Sequence, residues 1–281
     1  MSRRIVLHVG SPKCGSTYLQ RVMLQNADTL LAHGIRYPHG GQTHPGNAGD
    51  TENWTQTDYD ALFEGGIETV LLSHEDLYSK PNFAKPLLKA AEAEGAQVQV
   101  VVFLRPFSDF LFGDYSQFMK QNFWRYLETR NPYDGESFRD VIDRRLRRLK
   151  PARFLRNWQS AVRGTRVRVA GHRDIRATME DLLGPLPLDW TVERHATNPS
   201  LRMEDCERIA DALRRPWVPR EVIEQMYRDA FHKVDRPDAG RSAARRRVIE
   251  TLFAEENALI LKQYGYDNRL PDADIATLQP S

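Results

Sequence analysis

Three short apolar runs mark the first part of the chain. Arg4–Val9, Val70–Ser73 and Val98–Leu104 are nearly continuous rather than alternating, the pattern of strands buried on both faces of a parallel sheet. Between them the period changes. From Ser16 to His33 the apolar positions Leu19, Val22, Met23, Leu30 and Leu31 predict a helix, which Gly34 ends. Residues 35–57, rich in Gly, His, Asn and Thr, predict irregular loop. Further helices are predicted over Asn82–Glu94, with Asn82 as cap, and over Phe107–Tyr126.

From about residue 136 strand signals fade, apart from Val167–Val169. Helical patterns take over at 136–149, 151–162, 203–214, 219–231 and 241–263, punctuated by Pro185, Pro187, Pro216, Pro219 and Pro237. Strands alternating with helices imply a doubly wound parallel sheet. The expected fold class is α/β: a P-loop-type parallel sheet flanked by helices, with a largely helical C-terminal half. One domain is expected over 1–281, with an α/β core at 1–130 and a mostly helical extension at 131–281.

Composition narrows this reading in a few places. A length of 281 residues suits one large α/β domain, and a formal net charge of +2 gives no global reason to expect a nucleic-acid partner. No apolar run approaches a membrane span, and the run after Arg3 and Arg4 is too short for a secretory h-region. The expectation is a cytoplasmic chain with no transmembrane segment. Cys14 and Cys206 are its only cysteines and are expected as free thiols.

Candidate chemistry begins at Gly10-Ser-Pro-Lys-Cys-Gly-Ser-Thr17, between the first predicted strand and the first predicted helix. Such a loop turns backbone N–H groups toward one point and adds the helix dipole there, which suits an anion. A nucleoside-triphosphate loop would carry lysine directly after its second glycine. Here Ser16 holds that place, and the lysine, Lys13, lies inside the loop. A triphosphate with magnesium is therefore disfavoured.

Pro12–Leu19, PKCGSTYL, resembles the phosphosulfate-binding loop P-K-x-G-[ST]-T-x-L of the sulfotransferases that use 3′-phosphoadenylyl sulfate (PAPS). A second stretch is also similar to that family, whose strand-end arginine is followed by a serine eight residues on and by Tyr and Gln. Arg105, Tyr115 and Gln117 hold three of those places, and Gly113 stands where the serine would be. Ser116, one turn further on, is the candidate replacement, with Ser108 second. Thr197–Leu201 (TNPSL) resembles a stretch of the bacterial members.

The resemblance implies a donor-binding core at 1–130 with PAPS as the cofactor. It places Ser11, Lys13, Cys14, Gly15, Ser16 and Thr17 on the 5′-phosphosulfate and Arg105 with Ser116 on the 3′-phosphate. No metal is required. The implied reaction moves a sulfuryl group to a hydroxyl of a carbohydrate or glycolipid acceptor, with Lys13 stabilising the leaving phosphate. His44, in the polar loop after the first helix, is the first candidate base. Glu75, just after the second strand, is next, and His74 and His39 follow.

Cys14 reads as loop filling rather than as a nucleophile. The arginine-rich run from Arg139 to Arg156 reads either as a solvated helix face or as an attractor for an anionic acceptor. Trp54, Trp124 and Tyr126 are aromatic candidates for sugar stacking. Two rivals remain open: a small-molecule kinase using the same loop, and a nucleotide-binding protein without turnover. The pattern leaves the oligomeric state unassigned.

Overall fold

The computed structural model describes residues 3–162, 164–193 and 198–270. The chain is α/β, with one five-stranded, all-parallel sheet. Its strands are β1 (Arg4–Val9), β2 (Ile35–Arg36), β3 (Thr69–His74), β4 (Gln97–Leu104) and β5 (Arg168–Gly171), in the spatial order β2-β3-β1-β4-β5.

The helices follow in chain order. First come α1 (Ser16–Gln25), α2 (Ala27–Ala32), α3 (Gln56–Leu62) and α4 (Lys85–Ala93). Next are α5 (Phe107–Thr129), α6 (Phe138–Arg148), α7 (Pro151–Ala161) and α8 (Ile175–Leu183). The last are α9 (Met203–Leu213), α10 (Arg220–Phe231), α11 (Ala243–Leu252) and α12 (Ala254–Tyr264).

The described residues fall into two compact units. One takes those of 1–105, 151–198 and 259–266, and the other those of 106–150, 199–258 and 267–281. The first unit holds the whole sheet. Central β1 places Leu7 opposite Leu72 of β3 on one side and Val100 of β4 on the other. Ile5, Val6, Leu7 and Val9 are fully buried, as are Val70–Leu72 and Val100–Val102, which explains why the strands read as continuous apolar runs. On one face Val6, Leu71, Val101 and Phe103 pack against Leu19, Val22 and Met23 of α1 and Met179 of α8. The buried Trp158 of α7 donates its indole N–H to the carbonyls of Leu77 and Tyr78. Strand order reverses at β1, the point at which parallel sheets open a crevice along their carboxyl edge.

Several boundaries differ from expectation, each for a local reason. The helix predicted to His33 breaks at Asn26, whose amide donates to the Val22 and Asp189 carbonyls and accepts the Asp189 N–H. The predicted loop at 35–57 contains β2 and the start of α3, whose Thr55 and Asp58 form a reciprocal capping box. Asn82 caps nothing: a 3₁₀ turn over Pro81–Ala84 leads into α4, and Ala84 stands at its cap. The long predicted C-terminal helix breaks at Phe253 into α11 and α12, and α8 lies in a stretch for which no helix was expected.

In the second unit, α5 is buried at every residue from Phe107 to Ser116. Phe107 stacks on Phe253 at 4.3 Å and Tyr115 on Tyr133 at 3.8 Å between ring centroids. Arg246 of α11 pairs with Asp109 at 2.6 Å, both about nine-tenths buried. One turn on, Glu250 accepts the Ser108 N–H at 2.8 Å, capping α5 from a distant helix. Burial pushes the Glu250 carboxyl above its ordinary value, against the pull of the Ser108 and Asn257 hydrogen bonds.

A carboxyl raised in this way binds its proton more tightly in the folded chain than in the unfolded one. Its contribution to stability is therefore full in acid and is lost as pH rises through the folded value. Glu250→Gln, which keeps an oxygen for the Ser108 N–H, is expected to be at least as stable as the parent near neutral pH. It should also flatten the loss of stability between mildly acid and neutral pH in urea titrations. A clear destabilisation at neutral pH would contradict a carboxyl held above its ordinary value.

Candidate functional site

The loop after β1 is shaped by its glycines and by one strained residue. A Cβ at Gly10 would lie 2.3 Å from Ser16 Oγ and 3.3 Å from the Glu75 Cα, so only glycine lets the three segments close. Gly15 has φ 89° and caps α1 without a side-chain bond. Lys13 sits at φ 63°, a left-handed conformation that costs a lysine free energy. The Cys14 N–H bonds back to the Ser11 carbonyl at 3.3 Å. The N–H groups of Ser16, Thr17 and Tyr18 open α1 and have no acceptor within the helix by its geometry. Ser16 is 7% exposed, and its Oγ has no hydrogen-bond partner among the described residues.

Arg105, directly after β4, reaches back to this turn. Its Nη1 donates to the Lys13 carbonyl at 2.8 Å. The guanidinium therefore faces the glycine loop, although 92 residues separate the two in the chain. Ser11 and Cys14 are buried, whereas Lys13, Gly15 and Thr17 are partly exposed. The Cys14 thiol bonds to the Pro12 carbonyl, and burial pushes it up to about 11 despite the Arg105 charge. It is a protonated filler of the turn.

A second cluster borders the loop, since the Gly10 N–H bonds to the His74 carbonyl that ends β3. Gln20 of α1 donates its amide to Ser73 Oγ at 3.1 Å and to Glu75 Oε2 at 3.0 Å. His44 Nε2 lies 3.4 Å from Glu75 Oε1, and its Nδ1 accepts the Gly46 N–H at 3.0 Å. With Nδ1 accepting, the neutral ring carries its proton on Nε2 and presents it to Glu75. Burial pushes the Glu75 carboxyl up. The Gln20 amide, its own backbone N–H and the His44 and His74 imidazoles outweigh that and hold it below the ordinary carboxylate value. The His74 ring lies 5.0 Å from that of His44, tilted by 39°, and its Nδ1 accepts the Asp76 N–H.

Beneath this cluster His8 of β1 lies fully buried, 2.7 Å from Ser73 Oγ. Burial lowers its imidazole to about 4, against the attraction of Glu75, so it is neutral near pH 7. The loop that carries His44 is pinned by Asn47. Its backbone N–H bonds to the Ser73 carbonyl, its Nδ2 donates to the Leu71 carbonyl, and its Oδ1 accepts the Ser73 N–H. Asn47 thereby extends the pairing of β3 beyond the two residues of β2. Tyr37 adds a bond to the Pro45 carbonyl, and His39 donates to the His44 carbonyl.

The residues singled out from sequence thus divide. Lys13, Gly15, Ser16, Thr17 and Arg105 share the loop, and His44 and Glu75 form a pair beside it. Ser116 belongs to the second unit, is 0% exposed, and its Oγ accepts the Leu201 N–H at 2.7 Å. A hydroxyl enclosed in this way does not present itself to a phosphate, which corrects the expectation for that position. Ser108 is equally buried, 3.5 Å from Arg246. Thr197, the first residue of the TNPSL stretch, lies outside the described residues. In the arginine-rich run, Arg139, Arg144, Arg145 and Lys150 are answered by Asp143, Glu136, Asp114 and Glu256.

Gln20, Asn47, Ser73 and His8 did not stand out in the sequence. Gln20 had a usable signal, since it lies four residues after Ser16 on the same face of α1. Asn47 had none, because its partners are backbone atoms of a strand 24 and 26 residues away.

Among the described residues no helix is long and apolar enough to cross a membrane, and no group of three or more His, Cys, Asp or Glu side chains is placed to hold a metal ion. No family model, curated protein or solved structure matches the chain.

Asn47→Ala would leave the Leu71 carbonyl and the Ser73 N–H without their side-chain partners. A loss of about 2–4 kcal/mol in urea unfolding is expected, since an unmade buried bond costs about 1–3 kcal/mol. Unchanged stability would mean that the loop is held by its other contacts.

Proposed function

We propose that this chain transfers a sulfuryl group from PAPS to a hydroxyl of a carbohydrate or glycoconjugate. The observation that carries the reading is the bond from Arg105 to the Lys13 carbonyl. It brings a strand-end arginine and an anion-type loop to one rim of the sheet. Ser16 Oγ, at the start of α1 beside this loop, has no hydrogen-bond partner among the described residues, which supports a hydroxyl kept for a ligand oxygen.

The donor supplies an activated sulfuryl group whose leaving group is adenosine 3′,5′-bisphosphate. Lys13, the first N–H groups of α1 and the Ser16 and Thr17 hydroxyls would hold its 5′ end. Negative charge building there would be met by the lysine and by the helix N-terminus, whose N–H groups the fold already orients. Arg105, with a fork of five N–H donors, would serve the 3′-phosphate without help from Ser116.

Both His44 nitrogens are engaged, so Glu75 is the group with open lone pairs and serves as the base. Its carboxylate takes the proton from the acceptor hydroxyl, and His44 and Gln20 hold it in orientation.

One observation favours a kinase as the second reading. Glu75 follows β3, the strand beside β1, where a carboxylate could bind magnesium opposite a triphosphate. Thermal stabilisation separates the two. Adenosine 3′,5′-bisphosphate should raise the melting temperature more than ATP with magnesium does, and the reverse result favours the kinase. Stabilisation by the bisphosphate without transfer to any sugar acceptor would leave a nucleotide-binding protein.

Lys13→Ala is expected to cut sulfuryl transfer by about 10²-fold or more, and unchanged turnover would remove its assigned role. Glu75→Gln should lower turnover by about 10²–10⁴-fold while the bisphosphate still stabilises the chain. Because the carboxyl is held low, it is ionised above its ordinary value, and the base is lost only as pH falls through its folded value. The acid limb of kcat/KM should therefore lie below the ordinary carboxylate range. A limb near or above pH 6 would assign the base to an imidazole instead.

A further inference from the structure

The first unit contains a second concavity away from the glycine loop. It is a groove of about 1030 Å³ between the segment from Ser79 to Val98 and the last turns of α7. That lies at the upper end of the roughly 300–1,000 Å³ usual for small-molecule sites, room for several linked units rather than one. Its lining includes Lys80, Lys85 and Lys89 against one carboxylate, Glu92, and the ion pairs among the described residues include none of the three lysines. Many of the arginines differ: Arg144 is forked onto Glu136 and Arg145 onto Asp114, and Arg246 is paired with Asp109.

Lys85 and Lys89 are four residues apart on α4, so two like charges share one face and repel. The N-terminal turn of α4, which begins at Lys85, adds its dipole on the same side.

We propose that this groove binds an acidic oligosaccharide, a short chain of sugars bearing carboxylates. The cations supply the charge complement. The amides of Asn82 and Asn157 offer paired donors and acceptors for hydroxyl groups. Phe83, under the Lys80 ammonium at 4.6 Å, gives an aromatic surface for a sugar ring. A membrane surface fits less well, because none of the large exposed apolar side chains among the described residues lines the groove. The proposal stands apart from the sulfuryl-transfer reading and is tested without donor or turnover.

The probe is a hexamer of galacturonic acid, titrated calorimetrically into the full chain, with its methyl-esterified, uncharged counterpart as control. The acidic hexamer should bind and the ester should not. Lys80→Ala/Lys85→Ala/Lys89→Ala together should weaken binding by about tenfold or more, given the modest worth of each exposed pair, and the triple Lys→Arg variant should retain it. Hydrogen exchange on the parent chain should show protection over 79–98 and 157–162, which keeps the test decisive if the alanine variant does not fold. Several results would overturn the proposal: no binding, equal binding of the ester, or protection elsewhere. Tighter binding of a DNA oligonucleotide or of phosphatidylglycerol vesicles than of the hexamer would do so as well.

Discussion

The bond from the Arg105 guanidinium to the Lys13 carbonyl is the contact on which the arrangement of the rim depends. Lys13 occupies a left-handed conformation that costs a non-glycine residue of order 1–3 kcal/mol. A hydrogen bond from a charged donor is worth about 1.5–3 kcal/mol, the same size. The loop can therefore hold a lysine where glycine would be easier, provided that the arginine stays in place. The sheet sets that position. β1 and β4 pair in register from Arg4 opposite Gln97 to His8 opposite Val101, and β4 runs on through Phe103 and Leu104 before Arg105. Shortening or shifting β4 by one residue would turn Arg105 to the other face, since side chains alternate along a strand.

The same logic of fixed polar groups governs the neighbouring cluster. Glu75 is mostly buried yet held low, which requires donors close at hand, and Gln20 and His44 supply them. His8 lies deeper, where an imidazolium would be costly, and burial keeps it neutral. The charge in this cluster thus sits on the carboxylate, next to the opening of the loop, and not in the interior. Asn47 matters because it is the only residue of the His44 loop that hydrogen-bonds to β3 through both its backbone and its side chain among the described residues.

The strands of the core were legible because β1, β3 and β4 are buried on both faces and leave continuous apolar runs. β2, at two residues, was too short to leave any pattern. The loop was legible because glycine, lysine and hydroxyl residues had to fall at fixed spacings before a helix. Ser116 misled because helical spacing places a residue on a face without saying whether that face is covered, and here Leu201 covers it. Asn26 and Asn47 were illegible because each acts on a backbone distant in sequence. Local pattern records what neighbours in the chain require and says little of such long-range polar contacts.

Charge shows the same separation between pattern and place. The run from Arg139 to Arg156 is the densest positive stretch in the sequence, and density alone would make it the anion-attracting surface. Four of its members face carboxylates instead, one of them from four residues away on α6 and the others from Glu136, Asp114 and Glu256. A paired cation projects little field beyond its partner, and what remains is screened within about 8–10 Å at ordinary ionic strength. Three lysines scattered over ten residues make no run at all. Set around one groove whose lining holds a single carboxylate, Glu92, they leave a positive balance, and a concave wall focuses their field. Attraction for an anion depends on the charge left over after pairing, a quantity that the fold decides and composition does not.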